Sequence, residues 1–167
     1  MKKNSFCSYC GTKLIESNLF PKRCENCKQI TYVNPIPVCV MIVPYKNYIL
    51  GVRRGIQPGK GMPALPGGFV DGGESWQEAG VRELWEEIQV RISPNSIREF
   101  AVHSTDDKRL ILIFGISQHI TTENLLQFTP SEEATERLFL GGSEELAFPL
   151  HQEMMKKYFL SLVSTST

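Results

Sequence analysis

The stretch from 68 to 90, GFVDGGESWQEAGVRELWEEIQV, constrains this chain more than any other. A glycine-rich loop feeds a segment whose apolar residues Val81, Leu84, Trp85 and Ile88 recur at i, i+3, i+4 and i+7. That spacing predicts a helix with one stripe packed on a core. Ser75 and Glu78 form an S-x-x-E capping box at its start, so the helix should run from about Trp76 to Ile88. Glu83, Glu86 and Glu87 stand at i, i+3 and i+4 and share one face, held out on the side away from the core stripe. Like charges so placed repel by about 0.2–0.5 kcal/mol per pair. A divalent cation would relieve that repulsion, and hard oxygen ligands suit Mg²⁺ or Mn²⁺. Three glutamates alone are more simply a solvated acidic face. The loop at fixed spacing and the Arg82-Glu83 pair favour chemistry.

A second pattern lies at the N-terminus. Cys7, Cys10, Cys24 and Cys27 make two CxxC pairs thirteen residues apart. Each pair can form a tight knuckle, and four thiolates complete a closed tetrahedral zinc site with no position left for a substrate. So short a module has little core, which makes zinc a condition of its folding. Asn34-Pro35 and Pro37 mark a boundary, giving a zinc ribbon over 1–34 and a larger domain over 35–167. The fifth cysteine, Cys39, sits in the apolar run VCVMIV and reads as a small core residue.

The larger domain alternates strand and helix signals. Val38 to Pro44 reads as a buried strand, with Tyr48 to Arg53 pairing back across Lys46-Asn47. Ala64 to Val70 is a further strand leading into Asp71-Gly72-Gly73. Ile97 to Ser104 and Arg109 to Ser117 make an antiparallel pair, and Arg137 to Leu140 a last strand. A short helical turn is expected at Ser143 to Leu146, then a closing helix over His151 to Val163, with the STST tail disordered. Phe69 and Tyr45 read as core aromatics, and His103, His119 and His151 show no metal spacing.

Taken whole, 68–90 resembles the Nudix hydrolase signature. That pattern is a glycine, five residues, Glu, seven residues, Arg-Glu, an aliphatic, any residue, Glu-Glu, any residue, Gly and an aliphatic. Gly68, Glu74, Arg82, Glu83, Leu84, Glu86, Glu87 and Val90 fill it. Gln89 stands where the pattern has its last glycine. A left-handed cap there would cost a glutamine roughly 1–2 kcal/mol, unless the helix ends differently. The resemblance implies an α+β fold, a mixed β-sheet sandwiched between helices. It implies Glu83 and Glu87 as ligands of Mg²⁺ or Mn²⁺, with the Gly67 carbonyl beside them. Glu86 would be a third ligand or hold the attacking water, and Arg82 would orient the glutamates. Glu74 would ligate or only brace the loop. A second glutamate after the box is implied at Glu132, seven residues before Phe139, with Glu133 and Glu136 as rivals.

Ribbon and box together resemble the zinc-ribbon Nudix branch, which includes NADH and FAD pyrophosphatases. Residues 91–115 contain nothing like the S-Q-P-W-P-F-P-x-S stretch of the NADH enzymes. GIQPGKGMPALPGGFVDGGES and RLFLG stand closer to the FAD type. The implied reaction cleaves a nucleoside diphosphate linked to another group, FAD or ADP-ribose first and NADH next, to AMP and a second phosphate product.

Two other classes compete. A nucleotide sensor of this fold could bind without cleaving, although it need not keep all three acids. Lys2, Lys3, Lys13, Lys22, Arg23 and Lys28 could make the ribbon an adaptor for a dinucleotide-capped RNA. Eighteen basic residues balance eighteen acidic ones, so no broad field grips a nucleic-acid backbone. No apolar run reaches membrane-spanning length, and MKKNSFCSYC lacks the apolar core of a secretory signal. A cytoplasmic enzyme acting on a small molecule is the expectation, with a homodimer implied by the resemblance.

Overall fold

The computed structural model describes residues 4–16 and 20–164. Lys2, Lys3 and the last three residues of the STST tail lie outside them. The chain divides into two compact units, Met1–Pro35 and Ile36–Thr167.

The first unit is two similar knuckles and a two-stranded ribbon. The Cys7 N–H donates to Thr12 O, and Gly11 N–H donates back to Cys7 O. The second knuckle repeats both bonds at the same offsets, Cys24 N–H to Gln29 O and Lys28 N–H to Cys24 O. Gly11 (φ 70) and Lys28 (φ 63) occupy matching left-handed positions, so the second knuckle places a lysine where glycine is the easier residue. Strands β1 (Lys22–Arg23) and β2 (Ile30–Thr31) pair antiparallel behind it. Cys7, Leu14 and Cys24 form a small core of their own.

The second unit contains β3 (Ile36–Ile42), β4 (Pro44–Tyr45), β5 (Tyr48–Arg54), β6 (Pro63–Ala64), β7 (Gly67–Phe69), α1 (Trp76–Ile88), β8 (Ile97–Ser104), β9 (Leu110–Ser117), β10 (Ala134–Leu140) and α2 (Pro149–Ser164). One mixed sheet has the order β7-β3-β9-β8, with β3 and β9 parallel and the other neighbours antiparallel. A second sheet has the order β10-β5-β4, with β6 also on β5. Alternation along β3 divides the core. Val40 and Ile42 join Phe114, Met154 and Met155 on the α2 side. Met41 and Val43 join Leu84, Ile88, Leu50 and Val52 on the α1 side. The mixed sheet between helices is therefore as the sequence suggests.

Several boundaries differ from the sequence reading. The expected strand from Val38 to Pro44 is two strands in different sheets: β3 ends at Ile42, and β4 alone pairs with β5 across Lys46-Asn47. The expected strand from Ala64 to Val70 is likewise split, β6 lying on β5 and β7 on β3. Pro66 separates them. It has no N–H to donate, and its carbonyl instead accepts from Met41 N–H. Ser143 to Leu146 is not helical. The Glu144 carboxylate accepts the N–H groups of Gly141 and Gly142, a local turn that competes with a helix start. No helix among the described residues is long and apolar enough to cross a membrane.

Candidate active site

Helix α1 has the boundaries read from sequence, Trp76–Ile88, and the reciprocal capping box of Ser75 and Glu78 is formed. Gln89 takes the left-handed cap after all (φ 47, ψ 49). Its side chain offsets part of the cost. Nε2 donates to the Glu86 carbonyl at 3.2 Å, and Oε1 accepts from Thr129 N–H at 3.0 Å. The cap thus ties the chain ahead of β10 to the end of α1. Leu84 and Ile88 are fully buried, but Trp85 is 39% exposed, with the Arg91 guanidinium 4.4 Å above its ring. Only part of the expected apolar stripe is core. Phe69 also departs from expectation, being 55% exposed, whereas Tyr45 is buried as read.

The three glutamates are not equivalent. Glu86 is exposed, Glu83 is mostly covered and Glu87 is only 9% exposed. The expectation that all three are held out into solvent fails for Glu87. Its Oε2 accepts the Gly67 N–H at 2.9 Å, so α1 is pinned to β7 at the loop that precedes it. Burial, partly countered by that bond and reinforced by the charge of Glu83, pushes the Glu87 carboxyl up to about 7. Burial also raises Glu83, although Arg82 opposes the shift. A side chain on Gly68 would stand 2.2 Å from Glu83 Oε1, so the glycine leaves the space that this carboxylate fills.

Arg82 organises the cluster. Nε and Nη2 clasp Glu74 at 3.2 and 2.8 Å, and Nη1 reaches Glu83 at 2.7 Å and Glu86 at 3.1 Å. Nη2 also donates to the Phe69 carbonyl at 2.9 Å. All five donors of the guanidinium are used. Glu78 pairs with Ser75 rather than Arg82. Glu74, also an acceptor for Asp71 N–H, braces the loop. The hydrogen bond from Arg82 holds Glu74 below the usual carboxylate range.

The three acids after β9 have different surroundings. Glu136 is paired with Arg53 at 2.6 Å. The charge of Glu133 helps raise both Glu83 and Glu87. Glu132 makes no side-chain hydrogen bond or ion pair among the described residues, and its backbone carbonyl packs on Gly55. Of these three acids, Glu133, read from sequence as a rival of Glu132, is the one whose charge bears on Glu83 and Glu87.

Two further residues bear on the cluster: His151, read from sequence only as a histidine without metal spacing, and Arg54, not singled out there. His151, in the first turn of α2, accepts the Leu65 N–H through Nδ1 at 3.3 Å, two residues before Gly67. Burial keeps it neutral, lowering it to about 3. Arg54, at the end of β5, lies 4.9 Å from the Phe148 ring centroid, and its charge bears on both Glu87 and His151. Its position next to Arg53 hid it, because alternation along a strand sends neighbours to opposite faces.

The carboxylates offer hard oxygens, and two of them, Glu83 and Glu87, are desolvated and raised further by neighbouring carboxylate charge, which fits a divalent cation of the Mg²⁺ or Mn²⁺ class. Among the described residues only the cysteines already converge on a single point. Their Sγ atoms all lie within 4.8 Å of one another, with Cys7–Cys27 at 3.6 Å and Cys10–Cys24 at 3.7 Å. Zinc–sulfur bonds of about 2.3 Å in a tetrahedron place sulfurs about 3.8 Å apart, so the cluster has the dimensions for zinc. Hydrogen bonds with Thr12 also lower Cys10 toward its thiolate.

A stability prediction follows from Glu87. Its folded-state value stands above the ordinary 4.5, so its contribution is full below 4.5 and is lost as pH rises through about 7. In protein free of divalent metal, Glu87→Gln should remove that loss and raise stability at pH 8 by up to about 3 kcal/mol. Urea unfolding at pH 5 and pH 8 checks it. An unchanged pH dependence in the variant would contradict it.

Comparison with known proteins gives four findings. The NUDIX domain model matches residues 34–157. The chain is 32% identical to an ADP-ribose pyrophosphatase of Methanocaldococcus jannaschii, over 95% of this chain and 96% of that one. It is 31% identical to the NAD-capped RNA hydrolase NudC of Chromobacterium violaceum, over 52% of this chain but only 33% of that protein. Among solved structures, a NUDIX hydrolase from Nitrosomonas europaea superposes with a TM-score of 0.76 at 29% identity, over 92% of this chain and 89% of that one.

Proposed function

From the premise that the chain belongs to the NUDIX hydrolase family, we propose that it hydrolyses the diphosphate linkage of a small dinucleotide-type substrate, ADP-ribose first and FAD or NADH after it. The products would be AMP and a second phosphate compound. The observation that carries the substrate class is the similarity to the archaeal ADP-ribose pyrophosphatase, which runs nearly end to end in both chains. Similarity to the NudC proteins covers a third of their length, so action on capped RNA is the weaker reading. The free thiols of the ribbon suit a reducing cytoplasm.

Glu83, Glu87 and the Gly67 carbonyl would hold Mg²⁺ or Mn²⁺, with Glu86 joining them or holding water. Bound there, the metal would neutralise the diphosphate and acidify a water. Arg82 spends every donor on Glu74, Glu83, Glu86 and Phe69 O, so it acts as a positioning residue. The bond from Gly67 N–H to Glu87 supports the same geometry from the other side. Glu133 would take the proton from the attacking water, a role that its coupling to Glu83 and Glu87 supports over Glu132. Glu133→Gln should lower kcat by about 10²-fold or more, and Glu132→Gln should change it little. Initial rates of the two variants decide between them, and the reverse order would assign the role to Glu132.

The substrate test incubates zinc-loaded protein with Mg²⁺ and, separately, ADP-ribose, FAD, NADH, NAD and a nucleoside triphosphate, and follows AMP release. Preferential release from ADP-ribose supports the proposal. Tight binding without turnover of any compound would favour a sensor.

A further inference from the structure

Every donor of Arg82 is committed to protein oxygens, so the guanidinium closest to the acids has none for an anionic substrate. A diphosphate approaching Glu83, Glu87 and Glu133 still needs positive charge beyond what a metal supplies. Arg54 is placed to give it.

Arg54 is the last residue of β5, opposite Ala134 in the register with β10. Gly55 next to it donates its N–H to the Glu133 carbonyl at 2.7 Å. A side chain on Gly55 would stand 1.9 Å from the Glu132 carbonyl oxygen, so β5 and the 132–133 segment approach more closely than any other residue would allow. The strand end is thereby fixed beside Glu133. Among the described residues, Arg54 donates a hydrogen bond through Nε alone, to the Pro58 carbonyl at 2.6 Å. Phe148 lies against the guanidinium at 4.9 Å. No carboxylate lies within ion-pairing distance of it among the described residues. A half-buried guanidinium with one face on an aromatic ring, Nε anchored and both terminal nitrogens unspent is a fork suited to phosphate. Its neighbour Arg53 shows the contrast, spending Nε on Glu136 and Nη1 on the Gly61 carbonyl.

We propose that Arg54 binds the substrate's diphosphate through its terminal guanidinium nitrogens, held by Pro58 and Phe148 at the end of β5 beside the Glu133 segment. The inference rests on the diphosphate-hydrolase reading of the site. Charge-assisted bonds of this kind set the scale of the effect, roughly 10–100-fold in affinity.

The test compares wild type with Arg54→Gln, Arg54→Lys and the control Arg53→Gln, all zinc-loaded. ADP-ribose turnover gives KM and kcat, and calorimetry with Ca²⁺ present gives affinity for the methylene-bridged analogue of ADP-ribose and for adenosine. The expected result is a KM and analogue Kd raised roughly 10–100-fold in Arg54→Gln, with adenosine affinity and melting temperature near wild type. Lysine, which keeps the charge but loses the fork, should recover only part. Wild-type analogue affinity in Arg54→Gln would overturn the inference. So would an equal loss of adenosine and analogue binding, which would mean that Arg54 only supports the Pro58 loop. If wild type itself turns over no diphosphate compound, the functional reading fails. If wild type is active and only the Arg54 effect is missing, this inference fails alone.

Discussion

Glu87→Gln should abolish most diphosphate hydrolysis while leaving the fold intact. Glu87 is the most buried acid of the cluster and is fixed by the Gly67 N–H, so its carboxylate is presented rigidly. Glutamine keeps the shape and can still accept that N–H, but it carries no charge for a cation. Loss of roughly 3–5 kcal/mol of transition-state stabilisation corresponds to about 10²–10⁴-fold in kcat. Glu86, exposed and only loosely held at 3.1 Å from Arg82, should show a smaller loss when changed to Gln. Initial-rate kinetics beside far-ultraviolet circular dichroism check both. Wild-type turnover in Glu87→Gln would remove the carboxylate from the site.

The other large effect concerns zinc. Stripping metal from the four thiolates, or changing Cys24 to Ser, should unfold Met1–Pro35 and leave Ile36–Thr167 folded. The small core of the first unit is built from Cys7, Leu14 and Cys24, so two of its three buried members are themselves candidate ligands. Without metal that core has almost nothing apolar to bury. Structural zinc in such modules binds with about 10–16 kcal/mol, far more than the core alone could supply. The second unit has two clusters of its own and needs no help from the ribbon. Limited proteolysis after chelation, with a zinc-sensitive dye, reads the result. Rapid cleavage within 1–35 and protection beyond it is expected. A ribbon that resists proteolysis when metal-free would show that zinc is not what folds it.

How much was legible in the sequence depended on whether a single local rule decided the outcome. Helix α1 was readable to the residue because Ser75 and Glu78 mark its start and the apolar period carries it to Ile88. The sheet change between Ile42 and Pro44 was not readable. The run VCVMIVP is apolar throughout, and its period says nothing about which partner each half pairs with. Trp85 lay on the predicted stripe yet stays partly in water, because Arg91 rather than the core covers its ring. In the site, the box residues were readable from spacing. Arg54 was not, and Glu133 was readable only as a rival of Glu132, because each lies at a register between β5 and the start of β10, more than seventy residues apart in sequence. A pair of adjacent arginines at a strand end carries one hint of this, since alternation must part them.

The most direct measurement titrates Mn²⁺ into zinc-loaded protein stripped of other divalent ions, with ADP-ribose present, and quantifies AMP. Saturable, Mn²⁺-dependent release that Glu87→Gln loses at every Mn²⁺ concentration is the expected result. AMP release without added divalent metal, or full release by Glu87→Gln, would contradict a metal-dependent diphosphatase built on the acids of α1.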